Sequence, residues 1–194
     1  MSVNPPRGVV VVLAGRDEDA DHYAELARHL TLNGYRVDVF SDVLREPDAI
    51  VRAVDDVLND SAAEGPRFVI GSDAGATLAA SLGTARSRRL DAVVLAGLAT
   101  RGLQVATTGE RVRLVPAARL LLPTLVFHGD ADPVTDVADL ASWAAALPRG
   151  SIRLIRGGGH DVVGGEARRS VFAALVLFLE RHRAAAPVFS EAFG

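Results

Sequence analysis

The chain has 194 residues, is 49% hydrophobic and 23% charged, and carries a net charge near −3, values that fit one soluble domain with a sizeable core. No basic block is present to attract nucleic acid or an anionic membrane surface, and the absence of cysteine excludes disulfides, thiol catalysis and cysteine metal sites. No apolar run approaches a membrane span, and the start "MSVNPPRG" lacks the apolar core of a signal peptide, so a cytoplasmic protein is expected.

The first apolar run, "VVVVL" at 9–13, predicts a buried strand. A helical stripe of Tyr23, Leu26 and Leu30 follows within 19–34 and ends on Gly34, a natural C-cap. "RVDVF" at 36–40 predicts a second strand. "EPDAIVRAVDDVLND" at 46–60 predicts a helix, with Pro47 near its start and Ile50, Val54, Val57 and Leu58 on one face. "FVIG" at 68–71 runs into a glycine-pinched turn and the helix "AGATLAASLG". "AVVLA" at 92–96, "TLVFH" at 124–128 and "IRLI" at 152–155 supply three more strands. Helices are expected at 134–147 and at 166–183. Near-continuous β-branched runs alternating with helices predict an α/β fold: a doubly wound, mostly parallel six-stranded sheet covered on both faces. Residues 1–194 read as one domain with its core at about 8–183. The ends, 1–7 and 184–194, read as tails, on which Phe189 and Phe193 are candidates for docking. "SRR" at 87–89 reads as a solvated loop.

In open α/β sheets, sites form at the carboxyl ends of strands. There the sequence places "AGRDED" after the first strand, "GSDAG" after the third, "HGDADPVTD" after the fifth and "RGGGHDVVGG" after the sixth. A carboxylate, a carboxylate pair and a histidine occupy three of these ends in that order.

This order resembles the α/β-hydrolase fold over about residues 8–183. Gly71-Ser72-Asp73-Ala74-Gly75 matches the family's nucleophile elbow. His128 to Val134 looks like its acid loop, with Asp132 as the orienting acid. His160 stands at the family's histidine position. The chain departs from the pattern in four ways. It starts at what would be the third strand. Ala14-Gly15-Arg16 stands where His-Gly is common in the oxyanion loop. Residues 97–123 are too few for a helical cap domain. The elbow carries Asp73 where serine is usual.

Each of these residues also has a bland reading. Asp73 at a helix start stabilises the helix dipole, yet a capping aspartate does not need glycines at −2 and +2. Asp132 is a candidate N-cap for the helix at 134–147, and Asp130 and Asp136 are its rivals for the acid role. His160 is otherwise a loop histidine among glycines. His128, at an apolar strand end, reads as structural. Ser72 would point away from the site. The site expected is therefore Asp73, His160 and Asp132, with Gly15, Arg16 and Ala74 around an anion hole. Arg16 would offer its backbone N–H, or its guanidinium would hold a substrate carboxylate or enolate; its bland reading is a solvated surface arginine.

A carboxylate is a poor nucleophile toward ordinary esters. It attacks saturated carbon well, and it is a competent general base. Two groups of the family use an aspartate nucleophile, haloalkane dehalogenases and epoxide hydrolases. The resemblance implies for the first a halide-binding Trp after the nucleophile, where this chain has Ala74. For the second it implies cap tyrosines, and no Tyr lies in 97–123. Small lidless members act in polyketide tetronate pathways, eliminating acetate to leave an alkene, and the chain is similar to them in size and in lacking a lid. The reading is thus a lyase with Asp73 as base for β-elimination of a carboxylate such as acetate. The alternatives are a hydrolase with Asp73 as nucleophile and a non-catalytic binding relic of the fold. A nucleotide or flavin binder is disfavoured, because "AGRDED" lacks a glycine-rich phosphate fingerprint. A small-molecule substrate is expected, with no cofactor, no metal and no nucleic-acid or membrane partner.

Overall fold

The computed structural model of the chain describes residues 5–41, 43–85, 89–100, 104–106 and 111–183. The outer parts of both tails, Phe189 and Phe193, and Ser87 and Arg88 of the "SRR" loop lie outside the described residues.

Six parallel strands form the sheet: β1 (Val9–Leu13), β2 (Arg36–Phe40), β3 (Arg67–Ser72), β4 (Ala92–Ala96), β7 (Thr124–Gly129) and β8 (Gly150–Ile155). Their spatial order is β2-β1-β3-β4-β7-β8. The order reverses between β1 and β3, and at such a switch point the loops above the strands part and leave a crevice. Side chains alternate along each central strand, so each face acquires its own core. Val10, Val12, Phe68, Ile70 and Phe127 pack with Leu26 and Leu30 of α1 (Ala24–Leu32) and with Phe172, Leu175 and Leu179 of α5 (Arg168–Arg183). Val11, Leu13, Val69, Val93 and Val126 pack on the other face. Their partners are Val54 and Leu58 of α2 (Pro47–Asn59), Leu78 and Leu82 of α3 (Asp73–Leu82) and Leu140 of α4 (Val137–Ala144).

Three expectations change. Not all six strands are buried: β2 is half-buried and β8 largely exposed, because each is an edge strand with a single neighbour. The first helix is split. Asp19 accepts from the His22 N–H and caps a 3-10 turn, Ala20–Tyr23, before α1 begins. The helix expected from 134 starts at Val137. The amides of Val134 and Thr135 are taken by Asp132, and Asp136 caps the helix by accepting from Asp139 N–H.

Between β4 and β7, the described residues contain no helical domain. They contain an antiparallel ribbon, β5 (Gln104–Ala106) with β6 (Arg111–Arg113), and a short 3-10 turn at Ala117–Arg119. No helix among the described residues is long and apolar enough to cross a membrane.

The start of β3 is fixed by Arg67, which is 1% exposed. Its guanidinium donates to the carbonyls of Leu58, Asp60, Ala63 and Gly65, and so ties the α2–β3 connection to the strand that carries the elbow. Replacing Arg67 by Met strands four carbonyls, each of which needs a donor or water. Urea unfolding of Arg67→Met is expected to show a loss of about 3 kcal/mol or more. A loss under about 1 kcal/mol would mean that water replaces the guanidinium freely.

Candidate active site

Asp73 sits at the turn between β3 and α3 with φ 45°, in the left-handed region that costs an L-residue of order 1–3 kcal/mol. The glycines on either side explain how the turn closes. A Cβ on Gly71 would lie 2.2 Å from the Gly75 carbonyl oxygen, and one on Gly75 would lie 2.1 Å from that of Leu13. Only bare backbone fits at both places. The turn aims the Asp73 side chain upward from the sheet edge, while the Ser72 hydroxyl interacts with Tyr23 below.

His160 follows β8 and lies between two carboxylates. Its Nδ1 is 2.8 Å from Asp132 Oδ2 and its Nε2 is 3.2 Å from Asp73 Oδ1. Carboxylate oxygens only accept, so the hydrogen-bonded arrangement is that of an imidazolium donating from both nitrogens. The Asp73 hydrogen bond, the largest influence, raises the His160 pKa; burial opposes it and Asp132 adds to it. Asp132 follows β7, and its other oxygen accepts from Val134 N–H at 2.7 Å and Thr135 N–H at 3.2 Å. The structure therefore brings Asp73, His160 and Asp132 together at the carboxyl edge of the sheet.

Arg16, after β1, completes the arrangement. Its Nε donates to Asp73 Oδ2 at 2.7 Å and its Nη2 to Asp73 Oδ1 at 3.1 Å, a two-pronged contact. Its backbone N–H also donates to Asp73 Oδ2, at 3.2 Å. Burial by itself would raise the Asp73 pKa. The hydrogen bonds from His160 and Arg16, with the Arg16 charge, overcome it and hold the carboxyl well below the usual carboxylate range.

The residues expected around an anion hole are placed differently from one another. The Arg16 N–H faces the site but is bonded to Asp73. The Gly15 N–H does not face the site; it donates to Glu18 Oε2 at 2.7 Å and to Tyr23 Oη at 3.2 Å. Ala74 is buried in the first turn of α3, where backbone N–H groups have no partner within the helix. Glu18 and Tyr23, which also hydrogen-bond each other, are the supports that sequence reading missed. The only signal for them was the acidic run after β1. The rivals of Asp132 have other partners: Asp130 accepts from Gly157 N–H at 2.6 Å and Asp136 caps α4. His128 is fully buried, with Nε2 bonded to the Thr135 carbonyl at 2.8 Å. Its Nδ1 lies 3.5 Å from Asp132 Oδ2 without forming a hydrogen bond.

Among the described residues, one group has donor atoms within 4.8 Å of one another and the chemistry of a metal site: Glu18, His22 and Asp161. It lies below the loop of Arg16. One oxygen of each acid is already engaged by backbone amides, Glu18 with Gly15 and Asp161 with Val163 and Gly164. No step is assigned to it.

No protein-family model matches the chain, and no curated protein matches it. Solved structures do. A monoacylglycerol lipase of Paleococcus ferrophilus is 16% identical with TM-score 0.72, over 92% of this chain and 96% of that one. A lipase in an open form is 16% identical with TM-score 0.75, over 93% and 92%. The esterase domain of a Rhodothermus marinus protein is 16% identical with TM-score 0.70, over 94% and 89%. At such identities the likeness establishes the fold and leaves the reaction open.

The paired charges make a pH prediction. The raised His160 pKa contributes stability that is complete below its ordinary 6.5 and is lost as pH rises through the folded value. The depressed Asp73 pKa contributes stability that is present above its ordinary 3.8 and is lost as pH falls through the folded value. The stability contributed by the pair is therefore complete between these two ordinary values. In NMR titrations His160 is expected to have a midpoint above 6.5, and Asp73→Asn is expected to lower it. An unchanged midpoint in the variant would mean that Asp73 and His160 are not coupled.

Proposed function

We propose, from the α/β-hydrolase fold and the carboxylate at its elbow, that the protein is an enzyme that eliminates a carboxylate from a small metabolite, with Asp73 as general base. The observation that carries this reading is the Asp73 carboxylate itself. Its Oδ2 accepts the Arg16 backbone N–H, the donor that would otherwise receive an acyl oxyanion. That occupancy disfavours acyl transfer and leaves a base beside a fixed imidazolium. In the proposed step, Asp73 removes the proton on a carbon next to a carbonyl. The C–H electron pair becomes the new C=C bond, and the β C–O bond breaks. The carboxylate departs with the electron pair of the broken C–O bond, and Asp73 returns its proton to water. His160, held by Asp132, keeps Asp73 oriented and charged.

The hydrolase reading is kept because of one contact. A carboxylate with one oxygen already on an amide donor is also what hydrolysis of an Asp73 alkyl ester would use, with His160 activating water. Its usual helpers are elsewhere, however. The Trp143 indole N–H donates to the Val115 carbonyl at 2.9 Å. The Tyr35 hydroxyl faces Glu180 and that of Tyr23 faces Glu18. Neither a halide donor nor a tyrosine acid stands over Asp73 among these groups.

A β-acetoxy ketone that also carries a free carboxylate is the discriminating substrate. Wild-type protein is expected to yield acetate and an enone with no alcohol, and Asp73→Asn is expected to be at least about a hundredfold slower. Asp73→Ser is expected to be equally impaired, since a hydroxyl is a far weaker base. Alcohol formation, with oxygen from labelled water entering Asp73, would move the enzyme to the hydrolases. Turnover by Asp73→Asn at the wild-type rate would remove Asp73 from the mechanism.

A further inference from the structure

The Arg16 side chain covers the group that the proposed reaction needs. Its fork of Nε and Nη2 on the two Asp73 oxygens, at 2.7 and 3.1 Å, matches the geometry a guanidinium makes with any carboxylate. The two partners differ in freedom. The Asp73 side chain is 7% exposed and rigidly placed, whereas that of Arg16 is 43% exposed. Arg16 also lines a cleft of about 250 Å³, whose charged lining is Arg16 and Arg45 with Asp17, Glu18 and Asp19, and Asp73 is not part of that lining. Arg16 thus belongs both to the lining of the cleft and to the partners of the base.

We infer that the Arg16 fork passes from Asp73 to a carboxylate carried by the substrate, so that the site takes small organic anions and an arriving anion uncovers the base. This rests on the reading of Asp73 as base. The backbone supports the exchange. Asp17, directly after Arg16, has φ 56° and holds the turn that aims the Arg16 N–H at Asp73. When the side chain leaves, that N–H and His160 still hold one oxygen each. Asp73 keeps its position and loses only the guanidinium. The groups that set its basicity are then His160 directly and Asp132 behind it. Asp17 adds to the charge that faces Arg16. Removal of the cation raises the basicity of Asp73 at the moment a substrate is bound, and an uncharged analogue would leave the base covered.

Malonate is a suitable probe, with malonamide as its uncharged counterpart. Wild-type protein labelled with ¹³C at the aspartate carboxyls, assigned by Asp73→Asn, reports the Asp73 titration while ¹⁵N reports Arg16 Nε. Malonate is expected to shift the Arg16 signal and raise the Asp73 midpoint, and malonamide to do neither. Arg16→Gln is expected to bind malonate at least about tenfold more weakly and to show a raised Asp73 midpoint without it. Arg16→Lys keeps the charge without the fork and is expected to bind several-fold more weakly than wild type. An Asp73 midpoint unmoved by saturating malonate would overturn the inference, as would no malonate binding or equal binding by either variant. These readouts need no turnover. Exchange without alkene formation would leave the inference standing and remove the elimination reading. Alkene formation with an unmoved midpoint would do the reverse.

Discussion

Everything above the sheet edge depends on how closely α3 enters against β1. The backbone of Gly75 meets the Leu13 carbonyl with no room for a single added carbon. That contact draws the helix start over the switch point between β1 and β3. It forces Asp73 into a left-handed turn and brings the Arg16 amide within reach of its carboxylate. The strain is moderated by residue type, since aspartate visits that region more readily than most L-residues. A carboxylate at this position is therefore compatible with the turn as well as with the chemistry.

The site that results is a row of alternating charges: Arg16, Asp73, His160 and Asp132. Each inner member touches two of opposite sign. Such a row answers the cost of burial, which would be several kcal/mol for Asp73 or Asp132 alone. Its anchor is Asp132, whose side chain is fully buried and bound by two amides of its own loop. Its solvent-facing end is Arg16. The most exposed member of the row is Arg16, which also lines the cleft.

The sheet was legible in the sequence because strands buried on both faces leave uninterrupted β-branched runs, as at 9–13 and 92–96. The same signal misjudged "IRLI" at 152–155. An edge strand keeps the composition of its neighbours while losing one of them, and periodicity does not record neighbours. Asp73, Asp132 and His160 were legible because each follows a strand. Gly15 illustrates what was not. Its place after β1 marked it as an anion-hole residue, but the direction of its N–H is set by Glu18 and Tyr23, which reach it through packing that no spacing rule encodes. The fork of Arg16 on Asp73 was illegible for the same reason, because it joins loops 57 residues apart.

The row of charges straddles β4, whose carboxyl end supplies no side chain to it. Gly97 is bare there and has φ 53°, and a Cβ on it would lie 2.3 Å from the His160 carbonyl oxygen. On one side, Arg16 and Asp73 come from β1 and β3. On the other, Asp132 and His160 come from β7 and β8. The loops of the second pair are packed backbone to backbone, for a Cβ on Gly129 of β7 would lie 2.0 Å from the Gly158 carbonyl oxygen in the loop that carries His160. Among the row's side chains, only the Asp73–His160 contact bridges the two halves. The molecule is therefore modular at the carboxyl edge of its sheet: the side chain at the elbow can be exchanged while the Asp132–His160 pair behind it keeps its own supports, and position 73 can change without the scaffold being refolded.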